Sequence, residues 1–435
     1  MQTLAQLQAG ELKGATKLKL SCGLTTFPAE IFSLADTLEM LDLSGNQLSS
    51  LPDDFIRFTK LTIVFFSDNL FTIFPDCLGK MPQLDIIGFK ANQIQAISET
   101  AIPANTRWLI LTNNKIEQLP ASIGNCHRMQ KLMLAGNQLT GLPASLANCH
   151  NLELLRISAN RLETLPEWLW ELPKLSWLAF AGNKFSMQTA ENAALTQVEW
   201  HHLDVQQQLG EGASGVISLG QWQQENPQTI AVKVFKGEVT SDGFPADEMF
   251  ATIASGTHHN LVKVLGKIAN HPEERQGLVF ELIPSHYKNL GGPPSFESCT
   301  RDVFPAGTQF SAGQILTISK GIASAAAHLH ARGILHGDLY THNMLTNDDA
   351  HTLFGDFGAA SIYNRNAIAM AATIERVEVR AFGCLLDDLL NLLPENDQQP
   401  ELAAALHFIQ VDCMQPAVKA RPGFADIFER LSALA

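Results

Sequence analysis

An asparagine that returns at nearly constant intervals is the feature that most constrains the fold of this 435-residue chain. Successive members of the series lie 23, 23, 22, 23, 23 and 23 residues apart, and each closes a segment such as LEMLDLSGNQLSSLP or MQKLMLAGNQLTGLP. So regular a period predicts a stack of equivalent units rather than one ordinary core. The asparagines are Asn46, Asn69, Asn92, Asn114, Asn137, Asn160 and Asn183.

Each residue type in the repeated segment has a physical reason. Alternating leucines, such as Leu41 and Leu43, point to the same side of a short strand. An inward asparagine side chain can bond the backbone groups that the following turn leaves unpaired. The pattern L-x-x-L-x-L-x-x-N-x-L-x-x-L-P resembles the leucine-rich repeat family. This resemblance implies an α/β solenoid over residues 1–195, with residues 17–28 as an atypical first unit.

The outward strand positions of the repeats are the candidates for binding. Several carry large apolar side chains, among them Phe65, Trp108 and Trp177. Such residues are typical of a protein-binding surface, although packing against a second domain would give the same pattern. Because curved solenoids commonly bind proteins, we expect a protein partner or substrate on the concave face.

Composition limits the other partners. The formal net charge is −14, and residues 200–435 carry 26 Asp and Glu against 15 Lys and Arg. An acidic protein gains nothing from counterion release on DNA, so we expect no nucleic-acid partner. The sequence shows no long apolar run and no secretory signal, which predicts a soluble, cytoplasmic protein without a membrane span. The oligomeric state stays open.

A different set of motifs begins near residue 204. The stretch LGEGASGV spaces Gly210, Gly212, Gly215 and Val216 as GxGxxGxV, in which glycines let the backbone close over phosphates. The apolar strand AVKVF follows and carries Lys233, whose charge is costly there unless it is paired or faces a ligand. Together these motifs resemble the N-terminal lobe of a protein kinase, which implies that Lys233 holds the α- and β-phosphates of ATP.

The same resemblance implies a partner for this lysine and a hinge. Glu248, on the next predicted helix, is the candidate partner, with Asp247 as its rival. The stretch GLVFELIP resembles the strand that leads into the hinge between the two lobes. It implies Phe280 as the gatekeeper and the backbone of Glu281 and Ile283 against the adenine.

The catalytic motifs follow in the second lobe. In HGDLYTHN, the resemblance implies that Asp338 accepts or orients the proton of the substrate hydroxyl and that Asn343 binds Mg²⁺. In LFGDFGAA, it implies that Asp356 is the second Mg²⁺ ligand. The fold expected for residues 204–435 is an α+β two-lobed protein-kinase-like domain, with lobes at about 204–283 and 284–435. The expected activity is ATP- and Mg²⁺-dependent phosphorylation of a protein, at serine or threonine, with Asp338, Lys233 and Glu248 as catalytic residues.

Three features depart from the usual kinase pattern. Gly337 stands where most protein kinases carry an arginine that pairs with a phosphate on the activation loop, so we predict a kinase that such phosphorylation does not gate. Tyr340 stands where serine/threonine kinases usually have a lysine, and the segment after Asp356 is short, without an APE tripeptide. These departures leave two alternatives open: a small-molecule phosphotransferase of the aminoglycoside or choline kinase type, and a pseudokinase scaffold.

Overall fold

The computed structural model describes residues 2–186 and 195–435, and the chain divides into two compact units. The first comprises Met1–Lys174 and Asn183–Phe185, and the second comprises Leu175–Gly182 and Ser186–Ala435. The last strand of the repeat sequence therefore belongs to the second unit, which the sequence period does not reveal. Residues 187–194, at the end of the predicted repeat region, lie outside the described residues.

The first unit is built on a parallel sheet to which each strand contributes only three residues. Neighbouring strands pair middle residue to middle residue, so Leu18, Leu41 and their successors form one buried row. A short helix, α1 (Leu4–Gln8), precedes the sheet. The strands are β1 (Lys17–Lys19), β2 (Met40–Asp42), β3 (Ile63–Phe65), β4 (Ile86–Gly88), β5 (Trp108–Ile110), β6 (Lys131–Met133) and β7 (Leu154–Arg156).

The repeated asparagines satisfy the turn that follows each strand, as the sequence predicts. The Asn69 side chain accepts from the Leu48 N–H at 2.9 Å and donates to the carbonyls of Leu43 and Phe66 at 2.9 and 3.2 Å. Asn114 makes the same three kinds of hydrogen bond in a later repeat, because it lies at the same position of its own repeat. Each asparagine thus ties its own turn to the preceding repeat.

Short 3-10 helices carry the chain back on the other side of the first unit. Each follows a proline, whose fixed φ suits the entry into a helix and whose missing N–H costs nothing there. Fully buried phenylalanines, including Phe55, Phe66 and Phe89, fill the space between strands and helices. The 3-10 helices are Ala29–Leu34, Asp53–Arg57, Asp76–Lys80, Ala121–Asn125, Ala144–Asn148 and Glu167–Glu171.

The second unit contains strand β8 (Trp177–Ala179) and a six-stranded sheet with helix α2 (Pro245–Ser255). The order in the sheet is β10-β11-β12-β14-β13-β9, and buried Ile230, Val232 and Val279 form part of its apolar core. The strands are β9 (Gln197–Glu199), β10 (Leu203–Glu211), β11 (Gly215–Trp222), β12 (Gln228–Phe235), β13 (Val264–Ala269) and β14 (Gly277–Glu281).

The remainder of the second unit is mainly helical. Helix α3 begins at a capping box in which Ser311 and Gln314 bond each other's backbone N–H groups. The helices are α3 (Ala312–His330), α4 (Ile368–Leu390), α5 (Pro400–Cys413) and α6 (Phe424–Ser432). The short strands are β15 (Lys288–Asn289), β16 (Ile334–Leu335), β17 (Met344–Thr346), β18 (Thr352–Phe354) and β19 (Ser361–Ile362).

The predicted fold class, an α/β repeat solenoid followed by an α+β domain, is confirmed by these elements. Within residues 2–186 and 195–435, no helix combines the length and the apolar character needed to cross a membrane.

Candidate active site

An ion pair between strand β12 and helix α2 anchors the site. The ammonium group of Lys233 contacts the carboxylate of Glu248, and both side chains are largely buried. Burial raises the pKa of Glu248, while the charge of Lys233 acts in the opposite direction. Its rival Asp247 lies elsewhere on the first turn of α2, and burial raises the pKa of its carboxyl to about 6. The structure therefore brings Glu248, rather than Asp247, to Lys233.

A cavity of about 440 Å³ lies beside this ion pair. One part of its wall is apolar, with Leu209, Ala231 and Phe280. The other part is polar and includes Asn343 and Asp356, so the lining offers contacts to both apolar and charged ligand groups. The predicted site residues that line the cavity are Lys233, Glu248, Phe280, Glu281, Ile283, Asn343 and Asp356.

The glycine-rich stretch forms the hairpin between β10 and β11. The Gly212 N–H donates to the Gly215 carbonyl at 2.9 Å, which closes the turn, and Val216 pairs with Val234 of the next strand. A Cβ at Gly215 would lie 2.6 Å from the Val234 carbonyl oxygen, so this glycine is required by strand packing. At Gly210 and Gly212 a Cβ would meet no atom within 4 Å, so their backbone is open to an approaching ligand.

The segment between β16 and β17 holds the predicted catalytic residues. The Asn343 side chain donates to the Asp338 carboxylate at 2.7 Å and to the Asp338 carbonyl at 3.0 Å. His336 is fully buried, donates from Nε2 to the Gly355 carbonyl at 3.0 Å and stacks on Phe354. Burial lowers the pKa of His336, and its bond to Gly355 links the segment that carries Asp338 to the segment that carries Asp356.

Gly337 has a structural reason to be glycine. Its φ is 74°, in the left-handed region that side chains disfavour. A Cβ would lie 2.7 Å from the carbonyl oxygens of both Ala359 and Leu178, and the Gly337 N–H donates to the Glu378 carboxylate at 2.6 Å. An arginine therefore has no room at this position.

An acidic residue that no sequence motif predicts holds His342. Asp302 accepts from the Thr341 N–H at 2.6 Å with one carboxylate oxygen and contacts His342 Nδ1 at 2.7 Å with the other. Burial on its own would lower the pKa of His342, but the hydrogen bond and charge of Asp302 outweigh it, so the pKa is raised. Asp302 lies 40 residues before His342, and no motif in that stretch of sequence points to it.

These residues fit ATP and Mg²⁺. The Asp356 carboxylate and the Asn343 amide both line the cavity and supply the oxygen ligands that Mg²⁺ prefers. Lys233 supplies the positive charge that a phosphate chain requires, and Phe280 and Ala231 offer apolar surface to a flat base.

Comparison with known families agrees with the fold and the geometry. Residues 203–382 match the family described as protein tyrosine and serine/threonine kinase. Residues 104–162 and 127–185 match leucine-rich repeat, and residues 37–58 match a further leucine-rich repeat description. The second part of the chain is thus a protein kinase domain, and the first part consists of leucine-rich repeats. In this organisation the chain matches a leucine-rich-repeat-containing protein kinase.

Individual relatives are distant and longer. The serine/threonine-protein kinase PITSLRE of Drosophila melanogaster is 24% identical over 239 residues, which cover 50% of this chain and 24% of the relative. Cyclin-dependent kinase 11B of Mus musculus is also 24% identical, over 50% of this chain and 29% of its own length. The megakaryocyte-associated tyrosine-protein kinase of Rattus norvegicus is 29% identical over 39% of this chain and 33% of its own length. The chain therefore spans about a quarter to a third of these relatives.

Proposed function

We propose that this chain is an ATP- and Mg²⁺-dependent protein kinase that phosphorylates serine or threonine. The observation that carries the proposal is the Lys233–Glu248 ion pair on the wall of a cavity that also presents Asn343 and Asp356. The similarity to the serine/threonine-protein kinase PITSLRE supports the choice of acceptor, although another relative is a tyrosine kinase.

Each residue has a defined task in this proposal. ATP with Mg²⁺ supplies the phosphoryl group and neutralises its charge. Lys233, held by Glu248, binds the phosphates, and Asn343 and Asp356 offer the oxygen ligands for the metal. Asp338 orients the acceptor hydroxyl and takes its proton, while Asn343 keeps the Asp338 carboxylate in place. The backbone of Glu281 and Ile283 meets the adenine, next to Phe280.

We also propose that phosphorylation of the activation loop does not switch this kinase. The support is steric, because position 337 has no space for the arginine that would bind such a phosphate. The segment that follows Asp356 is short, since the long helix α4 already begins at Ile368. The surface for a peptide substrate is correspondingly small.

The proposed role of the repeats is to bind a protein partner or the substrate on the concave face. Phe65, Trp108 and Met133, at outward strand positions, keep part of their surface accessible. Binding there would raise the effective concentration of the substrate near Asp338. The prediction that Trp177 belongs to this binding surface is wrong, since Trp177 is only 1% exposed.

The experiment is phosphoryl transfer followed by intact mass. The chain is incubated with ATP and Mg²⁺, alone, with casein, and with a panel of aminoglycosides and amino alcohols. Mass gain on the chain or on casein is expected, and it should vanish in Asp338→Asn and persist in Asp349→Asn, a matched change in an exposed loop. Turnover of small molecules only would establish the small-molecule phosphotransferase. If no phosphoryl group is transferred to any of these acceptors, the chain is a scaffold, whether or not it binds nucleotide.

A further inference from the structure

Strand β8, which ends the repeat sequence but belongs to the second unit, packs on the catalytic segment. The Trp177 indole stacks on the Tyr340 ring, with centroids 4.4 Å apart and planes 6° apart. Its Nε1–H donates to the Leu339 carbonyl at 3.1 Å. Both contacts fall between Asp338 and Asn343, so Trp177 touches the backbone that positions these two residues.

The residues that follow β8 hold the segment after Asp356. The N–H groups of Phe180 and Ala181 both donate to the Ser361 hydroxyl oxygen, at 2.9 and 3.1 Å. Ser361 is fully buried in β19, which pairs with β16 just before the catalytic segment. Residues 177–181 therefore contact both segments that must be aligned for catalysis, through the Trp177 side chain and through two backbone N–H groups.

Two further contacts hold β8 and the residue before it. Arg380 of helix α4 donates to the Ser176 hydroxyl at 3.0 Å. The Leu178 carbonyl lies so close to Gly337 that a Cβ on the glycine would come within 2.7 Å of the oxygen. The backbone of β8 thus reaches the position at which most protein kinases carry their regulatory arginine.

We infer that β8 is a permanent positioning element of the kinase domain and that Trp177 is its main positioning residue. In this arrangement a strand of the repeat sequence takes over the alignment that a phosphorylated loop provides elsewhere. The contacts of Trp177 and Ser361 are buried and uncharged, so they persist without any modification. The inference rests on the proposed function as far as catalysis is concerned, whereas the order of the catalytic segment can be measured independently.

The sequence offers a matched pair of tryptophans for the test. Trp177 donates its N–H to the catalytic segment, whereas the Nε1 of buried Trp170 has no hydrogen-bond partner among the described residues. Trp177→Phe and Trp170→Phe remove the same group, and only the first removes a bond to Leu339. Trp177→Phe retains a ring over Tyr340, and Trp177→Ala removes it.

The first readout is steady-state kinetics with casein. Because small misplacements of catalytic groups cost up to ~100-fold, we expect kcat to fall about 10-fold in Trp177→Phe and about 100-fold in Trp177→Ala, with KM for ATP unchanged. Trp170→Phe should keep the kcat of the unaltered chain. Equal losses in both Phe variants, or a rise in KM alone, would overturn the inference.

The second readout is hydrogen exchange of the amides at 339–343, which requires no activity. We expect faster exchange in Trp177→Ala and in Ser361→Ala, which removes the acceptor of the two N–H groups, while α6 exchanges as before. If the unaltered chain transfers no phosphate, the proposed function fails, and exchange alone decides whether β8 orders the segment. Unchanged exchange at 339–343 in both variants would overturn the inference, and general unfolding in one variant leaves the other to decide.

Discussion

Gly337 shows how the surroundings of one position can require a residue without a side chain. Its φ of 74° and its proximity to two carbonyl oxygens mean that any side chain must displace backbone. The sequence showed only that an arginine was missing. The structure adds that none can be accommodated while β8 and Ala359 hold their positions.

Replacing this glycine tests the steric argument. Gly337→Ala should lower the free energy of unfolding by about 1–3 kcal/mol, since strain at positive φ and the overlap with Leu178 and Ala359 add together. Chemical denaturation measures the change. Gly237→Ala, at a position where a Cβ meets no atom within 4 Å, serves as the control. Equal stability of the two variants would contradict the steric account.

His342 and Asp302 predict a pH dependence at the same scale. The folded state raises the pKa of His342 above its ordinary 6.5, chiefly because the bond and charge of Asp302 outweigh burial, with Asp338 and Asp356 adding to the effect. Protonated His342 therefore stabilises the folded state fully at pH values below its ordinary pKa. This stabilisation is lost as the pH rises through the raised pKa of the folded state. The free energy of unfolding, measured by denaturation between pH 5 and about 9, should fall in this way, and the fall should be absent in His342→Asn. The exposed His407→Asn should leave it intact, and a slope that survives in His342→Asn would exclude this pair as its origin.

At the scale of elements, the asparagines stabilise the stacked turns. Asn114 accepts from the Ile94 N–H at 2.9 Å and donates to the carbonyls of Phe89 and Leu111 at 2.9 and 3.0 Å. These backbone groups are buried. Each group that loses its partner would therefore stay desolvated without a hydrogen bond, which lowers the free energy of unfolding.

Asn114→Ala should therefore lower the free energy of unfolding by about 2–4 kcal/mol, as at least two buried backbone groups lose their partner. Urea denaturation followed by circular dichroism measures it. Asn125→Ala, in an exposed position of a 3-10 helix, should change stability by less than about 0.5 kcal/mol. A small effect at Asn114 would mean that water replaces the amide.

At the scale of the whole molecule, nucleotide binding should be visible as stability. With ATP and Mg²⁺ at about 100 times the Kd, the unfolding free energy should rise by about 2.7 kcal/mol. Lys233→Met should abolish this gain, because it removes the charge that meets the phosphates. Lys419→Met, an exposed lysine near the C-terminus, should keep it, and a gain that survives in Lys233→Met would place the nucleotide elsewhere. Thermal unfolding at fixed protein concentration is the measurement.

The sequence by itself determined the elements that depend on local order. A period of 23 residues predicts stacked strands, because equivalent side chains must recur at equivalent places. Motifs of a few residues likewise predicted that Lys233, Asn343 and Asp356 would share a site, and the structure brings them to one cavity. Asp302 escaped prediction because a lone aspartate carries no pattern.

Only the tertiary structure decided what the last repeat strand does. Trp177 and Tyr340 are 163 positions apart in the sequence, and the period gives Trp177 the same appearance as Trp108. Which outward side chain remains accessible depends on what packs against it, and burial of this kind arises only when distant segments meet. The tertiary fold therefore makes one strand of the repeat sequence part of the second unit, where its backbone fills the space beside Gly337.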